Sequence, residues 1–123
     1  MFFSVRFLFA FVSCIAIAHA ADSVPQTFAL NIMQGSVPAA QRVIKVEKGT
    51  ALKLKITSDA PGELHLHGYR LAAKLAPGQP AELAFNAYAT GRYPFEWHAD
   101  NAPNAESSHR RSPPIATLEV RPK

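Results

Sequence analysis

Apolar and polar residues alternate with a period of two along most of the chain, which is the pattern of half-buried β-strands. The clearest case is Thr50 to Thr57, where leucine and isoleucine side chains point to one face and lysine and threonine side chains to the other. Turn clusters such as Ser58 to Gly62 and Ala76 to Pro80 separate the segments. The predicted strands are Phe28 to Met33, Arg42 to Glu47, Thr50 to Thr57, Glu63 to His67, Ala81 to Phe85, Arg92 to His98 and Ile115 to Val120, while Tyr69 to Leu75 fits either a strand or a short helix.

Seven or eight short strands without a sustained helical period predict an all-β domain. An antiparallel β-sandwich or a small Greek-key barrel is the fold class that this pattern favours. The segment Ala99 to Pro114 is predicted as a long polar loop before the last strand. The predicted core consists of the inward positions of the strands: Phe28, Leu30, Ile32, Leu52, Leu54, Ile56, Leu64, Leu66, Leu83, Phe85, Tyr93, Phe95, Trp97, Leu118 and Val120.

The N-terminal segment Met1 to Ala20 has the features of a secretory signal peptide. Arg6 gives a positive start, Phe7 to Ala18 is an uninterrupted apolar run, and Ala18-His19-Ala20 places small residues before the cleavage point. The run is shorter than the roughly 20 residues that a membrane-spanning helix needs. We therefore expect cleavage after Ala20, export to the periplasm, and a mature domain of residues 21–123 with no transmembrane segment. A lipoprotein with acylated Cys14 fits less well, because the apolar run continues past that residue.

The composition narrows the chemistry of the mature domain. The 123 residues are 48% apolar and 18% charged, which suits one small globular domain. Cys14 is the only cysteine of the sequence, so the mature chain has no disulfide, thiolate nucleophile, zinc-thiolate site or iron–sulfur cluster. The basic residues are scattered, which argues against a nucleic-acid partner. Ser107, Ser108 and His109 are neighbours in sequence, but no nucleophile, base and orienting group are assembled, so we do not expect an enzyme.

Histidines are the one concentrated chemical feature. His65 and His67 share a strand face, with side-chain origins about 6.5–7 Å apart. His98 ends the aromatic strand and His109 lies in the predicted loop, and strand ends and loops can meet at one end of a sandwich. Imidazole suits Cu(II), Zn(II) and Ni(II). On the residues alone, however, such a pair is more often two solvated side chains, and Glu96, on the face of His98, is either an oxygen ligand or a solvent-facing carboxylate.

The order of short motifs from Val43 to Val120 resembles the cupredoxin family. The resemblance rests on several stretches, each weak alone but specific in combination: Lys48-Gly49, Leu52 to Ile56, His67-Gly68-Tyr69, Leu75-Ala76-Pro77-Gly78, Leu83-Ala84-Phe85, Gly91-Arg92-Tyr93-Pro94-Phe95 and Ala116 to Val120. The stretch Glu63 to Tyr69 is similar to cupredoxin-like domains also found in iron-uptake lipoproteins. The resemblance implies a cupredoxin-type Greek-key sandwich.

The resemblance also implies where metal ligands would lie. The family's two histidine ligands correspond to His67 and His109, whereas Trp97 stands at the position of its cysteine and Pro114 at that of its axial methionine. A blue-copper site needs the cysteine sulfur, so we do not expect a blue electron carrier.

Two functions remain open. One is an exported protein that binds Cu(II), or zinc or another divalent metal, through His65, His67, His98 and His109 and acts as a metal carrier or buffer. The other is a metal-free interaction module of a periplasmic or membrane transport system. The first function implies a metal ion as partner. Either function implies a periplasmic or membrane transport protein as a further partner.

Overall fold

The computed structural model describes residues 23–101 and 113–123, which form eight β-strands and one turn of 3₁₀ helix at Ala39–Gln41. The strands are β1 (Gln26–Ile32), β2 (Val43–Glu47), β3 (Ala51–Ser58), β4 (Gly62–Leu66), β5 (Leu71–Leu75), β6 (Ala81–Asn86), β7 (Gly91–Ala99) and β8 (Ala116–Arg121). Each predicted strand is present, and the ambiguous segment after Tyr69 forms strand β5. The predicted signal peptide and His109 lie outside the described residues. Within the described residues, no helix is long and apolar enough to cross a membrane.

The strands form two sheets. A three-stranded sheet has the order β1-β3-β6, and a five-stranded sheet has the order β2-β8-β7-β4-β5. The prediction of an all-β sandwich is confirmed. The pairing is antiparallel for four of the strand pairs, whereas β1 runs parallel to β3 and β2 runs parallel to β8. Strand β2 lies in the other sheet from β1 and β3, so the chain crosses between the sheets twice before β3 pairs with β1.

The apolar faces of the two sheets form one core, with Phe95 as its largest fully buried side chain. Most of the predicted core residues are buried there. Phe28, Leu83, Phe85 and Tyr93 are instead only partly buried and pack against the margin of the core. The first three lie on β1 and β6, the edge strands of the smaller sheet, where one flank has no neighbouring strand. Buried residues that the sequence prediction did not include are Val37, Ile44, Val46, Tyr69, Ala73, Leu75, Ala87 and Ala116.

Strands β4 and β7 are neighbours in the larger sheet, and each has one apolar and one polar face. Leu64 lies opposite Trp97 in the register and Leu66 lies opposite Phe95, all of them buried. Because successive side chains of a strand point to opposite faces, the intervening residues of both strands lie on the outer face. This outer face carries the histidines.

Gly62, the first residue of β4, is required by close packing. A Cβ atom at this position would lie 2.5 Å from the carbonyl oxygen of His98 and 2.6 Å from the indole ring of Trp97. Contacts this short do not occur between real side chains, so a larger residue would push β4 away from β7. Gly62 therefore helps to hold these two strands in their observed register.

Candidate metal centre

The outer faces of β4 and β7 bring three histidines into one cluster. His65 lies opposite Glu96 in the strand register, and Glu63 lies opposite His98. His67 is the first residue after β4, and its backbone N–H donates to the carbonyl oxygen of Pro94 at 3.1 Å. We call these residues the histidine face: Glu63, His65, His67, Glu96 and His98.

The turn after β4 fixes the direction of the chain immediately beyond the histidine face. Gly68 follows His67 with a φ of 85°, a left-handed conformation that glycine adopts at little cost. The hydrogen bond from the His67 N–H ties the start of this turn to β7. His67 is thus attached to the same strand pair as the other two imidazoles, although it lies outside the regular ladder.

The imidazole rings are close enough to share an ion after side-chain rotation. The ring centres of His65 and His98 lie 5.1 Å apart with an interplanar angle of 87°, and those of His65 and His67 lie 6.3 Å apart with an angle of 25°. Two imidazoles bound to one ion with bonds near 2.0–2.1 Å have ring centres about 4.5–6.5 Å apart. Both separations fall in this interval, so the spacing of the rings is compatible with a shared ion.

Two carboxylates contact the same imidazoles. His65 Nε2 lies 2.9 Å from Glu63 Oε1, and His67 Nε2 lies 2.9 Å from Glu96 Oε2. His98 Nε2 lies 3.7 Å from the same Glu96 oxygen. The histidine side chains are 38–50% exposed, whereas that of Glu96 is only 15% exposed. The cluster therefore has solvent-accessible nitrogen donors around one largely covered carboxylate.

The histidine face is not arranged as a finished coordination sphere. Across residues 23–101 and 113–123, no three His, Cys, Asp or Glu side chains stand ready to hold one metal ion. The Nε2 atoms contact carboxylate oxygens, so binding requires imidazole rotation or use of the Nδ1 atoms. Half-exposed side chains have the freedom to rotate in this way. The donor types, imidazole nitrogen and carboxylate oxygen, fit Cu(II) and Zn(II).

The predicted ligands are thus only partly brought together. His65, His67 and His98 lie in one cluster, while the fourth predicted ligand, His109, falls outside the described residues. We expected the histidines to meet at one end of the sandwich. The described histidines instead run along the outer face of the five-stranded sheet, from the end of β4 to the end of β7.

The structure separates two positions that the family resemblance places at one metal site. Trp97, at the position of the cysteine ligand, is on the inner face and is 8% exposed. His67, at the position of the first histidine ligand, contacts Glu96 on the outer face. Glu96 and Trp97 are adjacent in β7 and therefore point in opposite directions, so His67 does not lie beside the family's thiolate position.

Glu63 is a member of the cluster that the sequence analysis did not single out. The alternation of β4 could have identified it, because residues 63, 65 and 67 lie on the same face of the strand. The pairing of β4 with β7 then added Glu96 and His98 from a distant part of the chain. Local periodicity predicts the face of the sheet on which a side chain lies, but not which residue of the neighbouring strand lies opposite it.

The β2–β8 side of the same sheet has a different electrostatic character. Glu119 lies 2.7 Å from the guanidinium of Arg121 and 3.6 Å from that of Arg92. The hydrogen bond from Arg121, with the positive charges of Arg121, Arg92 and Lys45, lowers the pKa of the Glu119 carboxyl below its usual value. Cations satisfy the carboxylate on this side, whereas imidazoles contact the carboxylates of the histidine face.

Comparison with known proteins bears on the fold alone. No protein-family model matches the sequence, and no curated protein matches it. A chain of a heme-copper terminal oxidase dimer superposes with a TM-score of 0.59 at 15% identity, over 85% of this chain and 68% of that one. A copper binding protein solved by NMR in the apo form gives a TM-score of 0.56 at 13% identity, over 77% of this chain and 86% of that one.

A third solved structure is an oxidase that is longer than this chain. The blue copper oxidase from Nitrosomonas europaea gives a TM-score of 0.57 at 18% identity, and the match covers 81% of this chain but only 40% of the oxidase. At such low identities these likenesses speak for the arrangement of strands and not for a shared site. Together with the two-sheet architecture, they show that this chain has the cupredoxin-type β-sandwich fold, with eight strands.

Proposed function

We propose that this protein is an exported, periplasmic metal-binding protein that holds Cu(II) through His65, His67 and His98, with His109 as a fourth ligand. Zinc or another divalent metal is the alternative ion. The observation that carries the proposal is the clustering of three half-exposed imidazoles on one sheet face, with ring centres 5.1 and 6.3 Å apart. The copper binding protein among the structural neighbours supports it only at the level of the fold.

The proposed site differs from a blue-copper centre. The sole cysteine, Cys14, belongs to the predicted signal peptide, and Trp97 supplies no thiolate at the family's ligand position. Nitrogen and oxygen ligands favour Cu(II), whereas thiolate and thioether ligands favour Cu(I). The protein therefore serves as a metal carrier or buffer in this proposal, without rapid electron transfer or catalysis.

The open position of the histidine face suits a carrier. Donors on a sheet face approach an ion from one side only, so solvent or the donors of a partner protein can reach its other side. Ligands could then be exchanged one at a time during transfer. A periplasmic or membrane transport protein is the kind of partner that this proposal requires, and no nucleic acid is involved.

A Cu(II) titration of protein recovered after export tests the proposal. We expect saturable binding with a weak visible d–d band, and at least about tenfold weaker affinity in His67→Ala and His98→Ala, equivalent to about 1.4 kcal/mol. The variant His109→Ala measures the contribution of His109 to the affinity. The proposal fails if binding is not saturable or if His67→Ala and His98→Ala leave the affinity unchanged, and an intense blue colour would contradict the absence of a thiolate.

The same preparation tests export. The intact mass should correspond to a chain that begins at Ala21, because the predicted peptidase site follows Ala20. A chain that keeps residues 1–20 after fractionation would contradict cleavage.

The second candidate is a metal-free interaction module, and the lack of a preformed ligand set among the described residues favours it. The two functions differ in thermal stability with and without Cu(II). A ligand at 100 times its dissociation constant stabilises a folded protein by about 2.7 kcal/mol. An upward shift in melting temperature supports the metal-binding protein, and an unchanged melting temperature at saturating Cu(II) supports the module.

A further inference from the structure

Glu96 occupies the centre of the histidine face. It lies directly opposite His65 in the β4–β7 register, two residues before His98 on its own strand, and diagonally beside His67. Residues in these relations on one sheet face are close neighbours. Glu96 is therefore a strand neighbour of all three histidines, and its carboxylate contacts the imidazoles of His67 and His98.

The contacts of Glu96 differ from those of Glu63. The Glu96 Oε2 atom lies 2.9 Å from His67 Nε2 and 3.7 Å from His98 Nε2, so one oxygen contacts nitrogens from two histidines. Glu63 contacts a single histidine, His65, at 2.9 Å. The Glu96 side chain is 15% exposed and that of Glu63 is 32% exposed.

We infer that Glu96 is itself a metal ligand, so that the site is a mixed nitrogen–oxygen set built around this carboxylate and at least two of the three imidazoles. This inference rests on the proposed function and names an oxygen ligand for it. The Glu96 Oε2 atom already contacts the Nε2 atoms of His67 and His98. An ion bound between these two nitrogens would therefore also lie beside this oxygen. The carboxylate charge also offsets the charge of a divalent cation at a position with limited solvent screening.

This donor set defines the class of ion. Two histidines and one carboxylate form a borderline-to-hard set that takes divalent ions such as Cu(II) or Zn(II) and leaves positions for solvent or partner ligands. It has no soft sulfur ligand, so Cu(I) is bound much more weakly than Cu(II). The protein is thereby a carrier of the divalent ion.

A matched pair of variants tests the role of Glu96. We expect Glu96→Gln to weaken Cu(II) affinity by at least about tenfold, the least that the loss of even an outer-shell partner of a metal ligand costs. The control Glu82→Gln changes a carboxylate on β6 of the smaller sheet, which pairs with Lys53, and should stay within about threefold of the unaltered protein. Electron paramagnetic resonance of the Cu(II) complexes should show altered g and copper hyperfine values for Glu96→Gln and unchanged values for Glu82→Gln. The melting temperature without metal confirms that the variants are folded.

The possible outcomes separate this inference from the proposed function. If the unaltered protein binds no Cu(II), the proposed function fails and the inference fails with it. If it binds Cu(II) and both Gln variants bind equally well, only the role of Glu96 is overturned. Weaker binding by Glu96→Gln with an unchanged resonance spectrum would also overturn it, because Glu96 would then position the imidazoles without touching the ion.

A second pair of variants provides the test if Glu96→Gln folds poorly. Glu96→Asp keeps the carboxylate but withdraws it by one methylene group, and Glu82→Asp makes the same change at the control position. We expect the larger loss of Cu(II) affinity and the larger spectral change in Glu96→Asp. Equal affinities and equal spectra for the two Asp variants would contradict the inference.

Discussion

The two faces of the β4–β7 pair have the same backbone but different chemical environments. On the inner face, Leu64, Leu66, Phe95 and Trp97 are buried in the core between the sheets. On the outer face, the histidine face has side chains that reach solvent. The position that the cupredoxin resemblance assigns to a thiolate is on the inner face, where Trp97 is buried. The histidine and glutamate side chains of this strand pair are all on the outer face.

This difference shows that the two faces of one strand pair are under different constraints. The core of the sandwich depends on apolar packing, to which a sulfur ligand is not essential. The polar face of the same sheet then has few packing constraints, since its side chains contact water. Chemistry can therefore change on the outer face at little cost to the stability of the fold.

The largest expected effect is a loss of stability when the inner face is truncated. Trp97→Ala should lower the free energy of unfolding by about 3–5 kcal/mol, because it removes a buried aromatic ring and leaves a cavity. Chemical denaturation followed by far-UV circular dichroism measures this. The fraction that remains folded should bind Cu(II) with nearly unchanged affinity, and a large loss of affinity in that fraction would show that the two faces are not independent.

A smaller loss of stability is expected from Gly62→Ala. Gly62 packs against Trp97 of the inner face and against the backbone of His98, whose side chain is on the outer face. The added Cβ would meet the indole ring of Trp97 and the backbone oxygen of His98, so we expect a loss of about 1–3 kcal/mol from overpacking. A double-mutant cycle with Trp97→Leu separates the two contacts. The loss should be partly relieved, because Trp97→Leu opens space near the indole but not near the carbonyl oxygen. Full additivity would contradict this account of Gly62.

The smallest effect on stability is expected from the outer face. Each of His65→Ala, His67→Ala and His98→Ala should change the metal-free free energy of unfolding by no more than about 0.5 kcal/mol, as is usual for exposed positions. Their contacts with Glu63 and Glu96 lie at the surface, where even full ion pairs contribute little. Thermal denaturation without metal measures this, and a loss above 2 kcal/mol at any of these positions, well beyond the roughly 0.5 kcal/mol of exposed sites, would show that the histidine face supports the fold.

Much of the fold could be predicted from local patterns. The alternation in Thr50 to Thr57 gave strand β3 and its buried face, and the same reasoning gave the buried positions of β4, β7 and β8. Phe28 and Phe85 are predicted core residues that are only partly buried, since periodicity gives the face of a side chain but not how completely that face is covered. Ile44 and Val46 were missed although β2 alternates as clearly as the other strands.

The candidate site was predictable only in part. The sequence placed His65 and His67 on one face because residues two apart in a strand point the same way. The position of His98 beside them depends on a partner strand some thirty residues further along the chain. The family resemblance pointed to His67 as a ligand beside the position of Trp97, and the structure places these two residues on opposite faces.

The sequence by itself determined the strands, the sheet face to which each strand side chain points, and the lack of a cysteine in residues 21–123. Only the tertiary structure decided which residues of β4 and β7 are partners. A shift of two residues between these strands would keep every apolar side chain inside and every histidine outside, so the local pattern cannot distinguish the two registers. Non-local packing, including the fit of Gly62 beneath Trp97, selects the register that places Glu96 among three histidines.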